Sequence, residues 1–281
     1  MLFRSEHNGW GTFRGPTRWL NRVTGRLNDV TFAVSDEVRR SVRGAAAREV
    51  VTLSHGIDVK GVGRMRAERA AVRAELGVGD DELVIGTVAN FRPQKDHPNL
   101  LAAVRRALDA GVRARWVVVG QGPQEAQVRR LAAELGLGDR VLFTGFRADA
   151  TRVMGAFDVF TLASSWEGLP VALMEAFALG LPVVVTAVGG VAETVRDGVE
   201  GVLVPPSDSA ALAEGWRRVI DDGALRTRMA SAAAGRAADF DIGRAQTVLH
   251  DAYRAAPSTP TTSSVRDVAS PTSGGRSPAG R

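Results

Sequence analysis

The sequence predicts an α/β fold built on a doubly wound parallel sheet, and three observations carry that reading. Short β-rich apolar runs recur at residues 84–88, 116–119, 141–144, 159–162, 182–185 and 202–204. Such runs, apolar at successive positions, suit strands covered on both faces. Segments with helical spacing lie between them, at 100–110, 124–135 and 170–179, and alternation of strand and helix is what parallel pairing requires. Blocks rich in Gly, Pro and charge fall where the strands end, which is where open parallel sheets bind ligands.

Taken in order, the chain opens with the end of a strand, then a helix over 16–27, a strand over 30–34, and a helix capped by Ser35 with Glu37 in its first turn. A linker follows at Leu53-Ser54-His55-Gly56-Ile57-Asp58. The strand and helix alternation occupies the middle, and helices over 224–237 and 242–255 close it. From Pro257 to Arg281 the composition collapses into Ser, Thr, Pro, Gly and Ala, which predicts a disordered tail.

At 281 residues with 44% hydrophobic content the chain can build a substantial core. It has no cysteine, so disulfides and thiolate metal sites are excluded, in keeping with a reducing, cytoplasmic setting. No apolar stretch approaches the ~20 residues needed to cross a bilayer. A net charge of +5 invites a nucleic-acid reading. The arginines, however, are scattered among 31 acidic residues, with no basic run interleaved with aromatics, so small anions and lipids fit the charge better.

The segment from Glu167 to Glu175 is the most informative. Gly168 and Pro170 start an apolar helix just after a strand, with Pro170 suited to the first helical position and Gly168 open to ligand approach. Free N–H groups and the positive dipole end make an anion seat there. Glu175 leans back toward that seat, and at ~1.5 Å rise per residue it stands about 7 Å from Pro170, roughly the reach from a diphosphate to its ribose hydroxyls. On spacing alone, the favoured reading of the two glutamates is a pair of surface acids flanking a turn.

Ser165-Trp166-Glu167-Gly168-Leu169-Pro170 with Glu175 resembles the E-x7-E signature of the family-4 retaining glycosyltransferases, GT-B enzymes related to glycogen synthase and phosphatidylinositol mannosyltransferase. Further blocks resemble the same family in the same order: Ala89 through Asp96, Val119 through Pro123, Gly145 through Asp149 and Gly189-Gly190-Val191-Ala192-Glu193. The resemblance covers about residues 1–255. It implies a nucleotide-sugar-binding Rossmann-like domain over 49–239, a crossing helix over 240–256, and a remnant of the acceptor-side domain over 1–48, so that the chain reads as N-terminally truncated. Such a remnant would expose strand edges and apolar faces.

The resemblance also implies roles. Lys95 matches the phosphate-binding lysine, while Asn90 stands where the family usually has Arg and Arg92 is the substitute. Gly120 bends a donor loop, although turn geometry alone explains it as well. Phe146 and Arg147 fall at the nucleobase pocket, where contacts are largely main-chain. Gly168, Leu169 and Pro170 seat the diphosphate, Glu175 holds the ribose and Glu167 a sugar hydroxyl. His7 is placed near the donor sugar, facing Glu167 across the cleft, against the plainer reading of a solvated histidine. His55, His97 and His250 read as structural.

Transfer of a sugar from a nucleotide-diphosphate sugar to a sugar or lipid acceptor, with retention, is the implied activity. No obligatory metal or further cofactor is implied. A non-catalytic nucleotide-binding module is the alternative, with an epimerase on the same fold behind it. Arg14, Arg18, Arg22 and Arg26 form a basic stripe within residues 14–27, beside Trp19, Leu20, Val23 and Leu27. It reads either as a solvated face whose apolar side packs inward or as a peripheral contact with anionic lipid at the inner membrane face.

Overall fold

The computed structural model describes residues 3–7, 15–25, 27–43, 49–53 and 55–255. The tail over 257–281, together with Arg14 and Arg26 of the basic stripe, lies outside them, as do the side chains of Arg18 and Arg22.

The first unit runs β1 (Phe3–Glu6), α1 (Gly15–Gly25), β2 (Val30–Ala33), α2 (Asp36–Arg43) and β3 (Glu49–Thr52), its strands forming a parallel sheet in the order β1-β2-β3. β2 is central and buried throughout. β3 pairs with β2 from Val30↔Glu49 to Ala33↔Thr52, so this strand falls on the first sheet's side of the boundary expected between 48 and 49. Backbone pairing decides that division, and a short strand beside a linker does not advertise its partner. α1 leaves Trp19, Leu20, Val23 and Leu27 exposed. The inward-packed version of this helix is therefore not what forms, because no layer of the described residues covers that face.

The second unit runs α3 (Val59–Arg64), α4 (Arg69–Glu75), β4 (Val84–Val88), α5 (His97–Asp109), β5 (Arg115–Val119), α6 (Glu125–Glu134), β6 (Val141–Gly145), α7 (Ala150–Met154) and β7 (Val159–Leu162). It continues through α8 (Val171–Ala178), β8 (Val183–Thr186), α9 (Gly189–Thr194), β9 (Gly201–Val204), α10 (Ser209–Asp221), α11 (Gly223–Arg236) and α12 (Ile242–Ala255). Its six strands are all parallel, in the order β6-β5-β4-β7-β8-β9. The chain winds outward from β4 in one direction and then from β7 in the other, which leaves a crevice between the carboxyl ends of these two strands.

Period-two alternation splits the strand residues between two cores. Val84, Val117, Val183 and Val185 pack on one face with Phe157, Phe160 and Phe177. Ile85, Trp116, Val118 and Val184 pack on the other with Leu101 and Trp216. The Trp216 indole donates to Thr161 Oγ1 at 3.1 Å, so its polar edge is satisfied inside the core. Arg66, Arg69 and Arg73 donate to the carbonyls of residues 155–157, and Arg69 and Arg73 also reach Asp158. This clamp fastens α4 and the turn before it to the root of β7. The linker joins the end of the chain: Ile57 N donates to Phe240 O at 2.9 Å and Ile242 N to Ile57 O at 3.0 Å, which seats α12 on the segment between the two sheets.

Candidate active site at the switch point

At the crevice between β4 and β7 the loops after four strands enclose a cavity of about 250 Å³. Its walls are Ala89, Asn90 and Lys95 after β4, Gly120 and Gln121 after β5, Phe146, Arg147 and Ala150 after β6, and Pro170 and Ala172 at the start of α8. Pro170 is the N-cap of α8, with φ −71° and ψ 129°, one place earlier than the first helical position expected of it. Its extended ψ turns the chain into the helix, and the following N–H groups of Val171 and Ala172 precede the first full helical turn. Those groups, backed by the helix dipole, belong to the end of α8 that borders the cavity, whose lining includes Lys95 as well as Pro170 and Ala172.

Lys95 is ion-paired with Glu167, and both are largely buried, the side chains being 16% and 5% exposed. Glu167 also accepts from Ser164 Oγ at 2.7 Å and from Gln94 Nε2 at 3.0 Å. Ser165 N donates to Gln94 O at 2.9 Å, so the loops after β4 and β7 are tied by backbone as well as by charge. Gln94 and Ser164 were not singled out in the sequence, since their role exists only once these two loops meet.

Glu175 is half-buried on α8 and accepts from Thr151 Oγ1 at 2.8 Å. Burial raises its pKa above the ordinary carboxylate value, with the Thr151 hydrogen bond opposing the shift. Glu175 stands outside the cavity lining, behind Ala150 and Ala172. Thr151 carried no signal in the sequence, because its partner lies on a different helix.

Phe146 is exposed at the mouth of the cavity. The Arg147 guanidinium is held in ion pairs with Glu75 and Asp149. Arg92 is exposed and lines an adjoining depression with Gly122, Pro123 and Glu125; that depression shares Asn90 and Gln121 with the cavity, so Arg92 stands beside the cavity and not in its wall.

His7, at the end of β1, comes against the Glu167 loop. A Cβ on Gly168 would lie 2.0 Å from His7 O, so only glycine allows this approach. The Gly189-Gly190 pair does the same from the other side, where added Cβ atoms would lie 1.8 Å from Glu167 O and 2.2 Å from Gly168 O. Leu169 is buried between the two units, in a depression shared with Ser35 and Thr194. Glu193, at the end of the same glycine block, accepts from Asp36 N at 3.0 Å and pairs with Arg40, fastening α9 to the start of α2.

With this geometry in view, the comparisons with known proteins are decisive. The family described as "Glycosyl transferases group 1" matches residues 68–236, more than half of the chain. The chain belongs to the group 1 glycosyltransferases. Among relatives of this glycosyltransferase, the 2-deoxystreptamine glucosyltransferase of Streptomyces kanamyceticus is 32% identical over 208 residues, covering 73% of this chain and 54% of the relative. The D-inositol 3-phosphate glycosyltransferase of Saccharomonospora viridis is 36% identical over 226 residues, 75% of this chain and 51% of the relative. The chain thus spans about half the length of these curated relatives. Anabaena HepE, solved with UDP and glucose, superposes with a TM-score of 0.82 at 23% identity, over 90% of this chain and 71% of that one. The two parallel sheets are those of the GT-B fold. Among the described residues no helix is long and apolar enough to cross a membrane, and no three His, Cys, Asp or Glu side chains cluster as metal ligands.

Proposed function

We propose that the switch-point cavity holds the diphosphate of a nucleotide sugar, and that the site transfers the sugar to an acceptor hydroxyl with retention of configuration. One observation supports this above the others: a lysine and a helix amino end line the same cavity, where both would meet the negative charge of a departing diphosphate. Anabaena HepE was solved with UDP and glucose, which makes UDP-glucose the first donor to try.

In this reading Lys95 exchanges its bond to Glu167 for one to the diphosphate, and Glu167 then accepts from a sugar hydroxyl. Glu175 takes the ribose hydroxyls in place of Thr151, and the backbone beside Phe146 and Arg147 meets the base. Glu167 serves in this reading to hold a sugar hydroxyl and not as a glycosidase-type nucleophile, its carboxylate being oriented by Ser164 and Gln94. The acceptor attacks on the face that the diphosphate leaves, close to His7. The acceptor is a sugar or a lipid hydroxyl, and the first sheet is the unit that would present it.

The test is release of UDP from UDP-glucose, with the anomer of the sugar product read by NMR. Turnover that appears first as the α-anomer and disappears in Glu175→Ala supports the proposal. UDP binding without any turnover overturns it in favour of a non-catalytic binding module.

A further inference from the structure

Between the two sheets, and outside the donor cavity, two imidazoles meet. His7 Nδ1 and His55 Nε2 are 3.1 Å apart, and the rings lie nearly parallel, with centroids 5.0 Å apart at 16°. The two residues come from different places in the chain, His7 from the end of β1 and His55 from the linker. Each is carried on a backbone held in place by other contacts. Leu53 N donates to Ala33 O at 2.8 Å on one side of His55, and Ile57 is bonded to Phe240 and Ile242 on the other. Gly56 lies directly beneath Ile242, where a Cβ would fall 2.5 Å from its Cα. The His7 backbone is pressed on Gly168.

We propose that His55 is a positioning residue for His7, sharing with it one hydrogen bond that fixes the orientation of the His7 ring beside the Glu167 loop and ties its tautomer to that of His55. This rests on the reading of His7 given under the proposed function. Two neutral imidazoles joined in this way leave His7 Nε2 as a free lone pair when His7 donates, and as an N–H when His55 donates. A pair carrying a proton on all four nitrogens loses the bond. Burial, and then the charge of His7, lower the pKa of His55, which favours the neutral ring that can share the bond.

The neighbouring ionisable groups are otherwise engaged. Glu6 is paired with Arg4, Asp58 accepts from Gly61 N, Asp241 accepts from Gly243 N, and Glu167 is held by Lys95. Gln is the conservative replacement for His55, because its amide reaches about as far as the imidazole Nε2 and can keep one hydrogen bond to His7 Nδ1.

The experiment compares wild type, His55→Phe and His55→Gln on the full chain. Long-range 15N–1H NMR of the histidine rings is expected to show a hydrogen-bonded His7 Nδ1 in wild type and in His55→Gln, and an unbonded one in His55→Phe. With UDP-glucose as probe, His55→Phe is expected to lower kcat about tenfold with KM unchanged, an effect of ring misplacement. His55→Gln, whose longer amide can still bond His7 Nδ1, is expected to restore kcat. A His7 Nδ1 signal unaltered by His55→Phe, or wild-type kcat in that variant, overturns the inference. Wild-type protein that binds UDP but releases none from UDP-glucose overturns the proposed function instead, and the NMR comparison then still decides whether the two rings are bonded.

Discussion

Lys95 and Glu167 neutralise each other across the crevice between β4 and β7. In the proposed reading the cation offered to a diphosphate is held in place by the acid offered to a sugar, so neither charge stands uncompensated before the donor enters. Replacing Lys95 by Met leaves Glu167 with Ser164 and Gln94 alone, and a loss of roughly 1–3 kcal/mol in folding stability follows from the stranded buried acid. The double variant Lys95→Met with Glu167→Gln is expected to regain that stability. It is expected to regain none of the activity, for which loss of one charge-stabilising donor costs about 10²–10³ in kcat. Denaturant unfolding and UDP release, measured on all three proteins, check both halves.

Glu175→Gln is expected to divide function from stability. The raised carboxylate pKa means that burial opposes the charged form, and the folded state binds this proton more readily than the unfolded chain. The charged group therefore costs stability at neutral pH, and that cost fades as pH falls through the raised pKa. The neutral amide is expected to raise the melting temperature while weakening UDP binding by about 1.5–3 kcal/mol, the worth of a hydrogen bond to a charged acceptor. Calorimetric titration and thermal melts measure the two effects separately.

His97 supplies a pH dependence of folding that is independent of the site. Its ring is buried, stacked on Phe91 with centroids 4.5 Å apart, and neither ring nitrogen has a hydrogen-bond partner among the described residues. Burial first, then the charge of Lys95, lower its pKa to about 4. The sign follows directly: above pH 6.5 both states are neutral at this group, whereas below it the unfolded chain takes the proton first and the folded state is penalised. Stability is expected to fall from about pH 6.5 to about pH 4, by on the order of 3 kcal/mol for a shift of this size. Urea unfolding at several pH values should show this slope in the wild type and a shallower one in His97→Phe.

Gly168→Ala should separate the loops rather than remove any chemistry. The added methyl meets His7 O at 2.0 Å, so either the Glu167 loop or the end of β1 must move. An overpacking cost of roughly 1–3 kcal/mol is expected, with a fall in kcat exceeding any change in UDP affinity, since the cavity walls themselves are untouched. Chemical unfolding and UDP-glucose kinetics test it.

Most of the second sheet was legible because its strands are apolar at successive positions, a pattern that burial on both faces produces and that Val183-Val184-Val185 displays directly. α10 was not among the helices read from the sequence, although Leu212, Trp216, Val219 and Ile220 carry a helical period. β3 was assigned to the wrong side of the linker because Glu49 to Thr52 shows its allegiance only through pairing with β2. At the site, Lys95, Gly120, Phe146, Arg147 and Pro170 were found by motif and do line one cavity. Arg92 was read as the substitute cation, and it lies in the depression that adjoins the cavity at Asn90 and Gln121. Thr151, Gln94, Ser164 and the bond from His55 to His7 stayed hidden because hydrogen bonds between distant segments leave no local pattern.

Calorimetric titration of UDP into the folded full chain tests the central claim most directly. Wild-type protein is expected to bind, and the double variant Lys95→Ala with Glu175→Ala to bind at least about 100-fold more weakly, as the loss of two charged contacts requires. Folded wild type that ignores UDP, or a double variant that binds it equally well, would contradict a diphosphate seat between Lys95 and the start of α8.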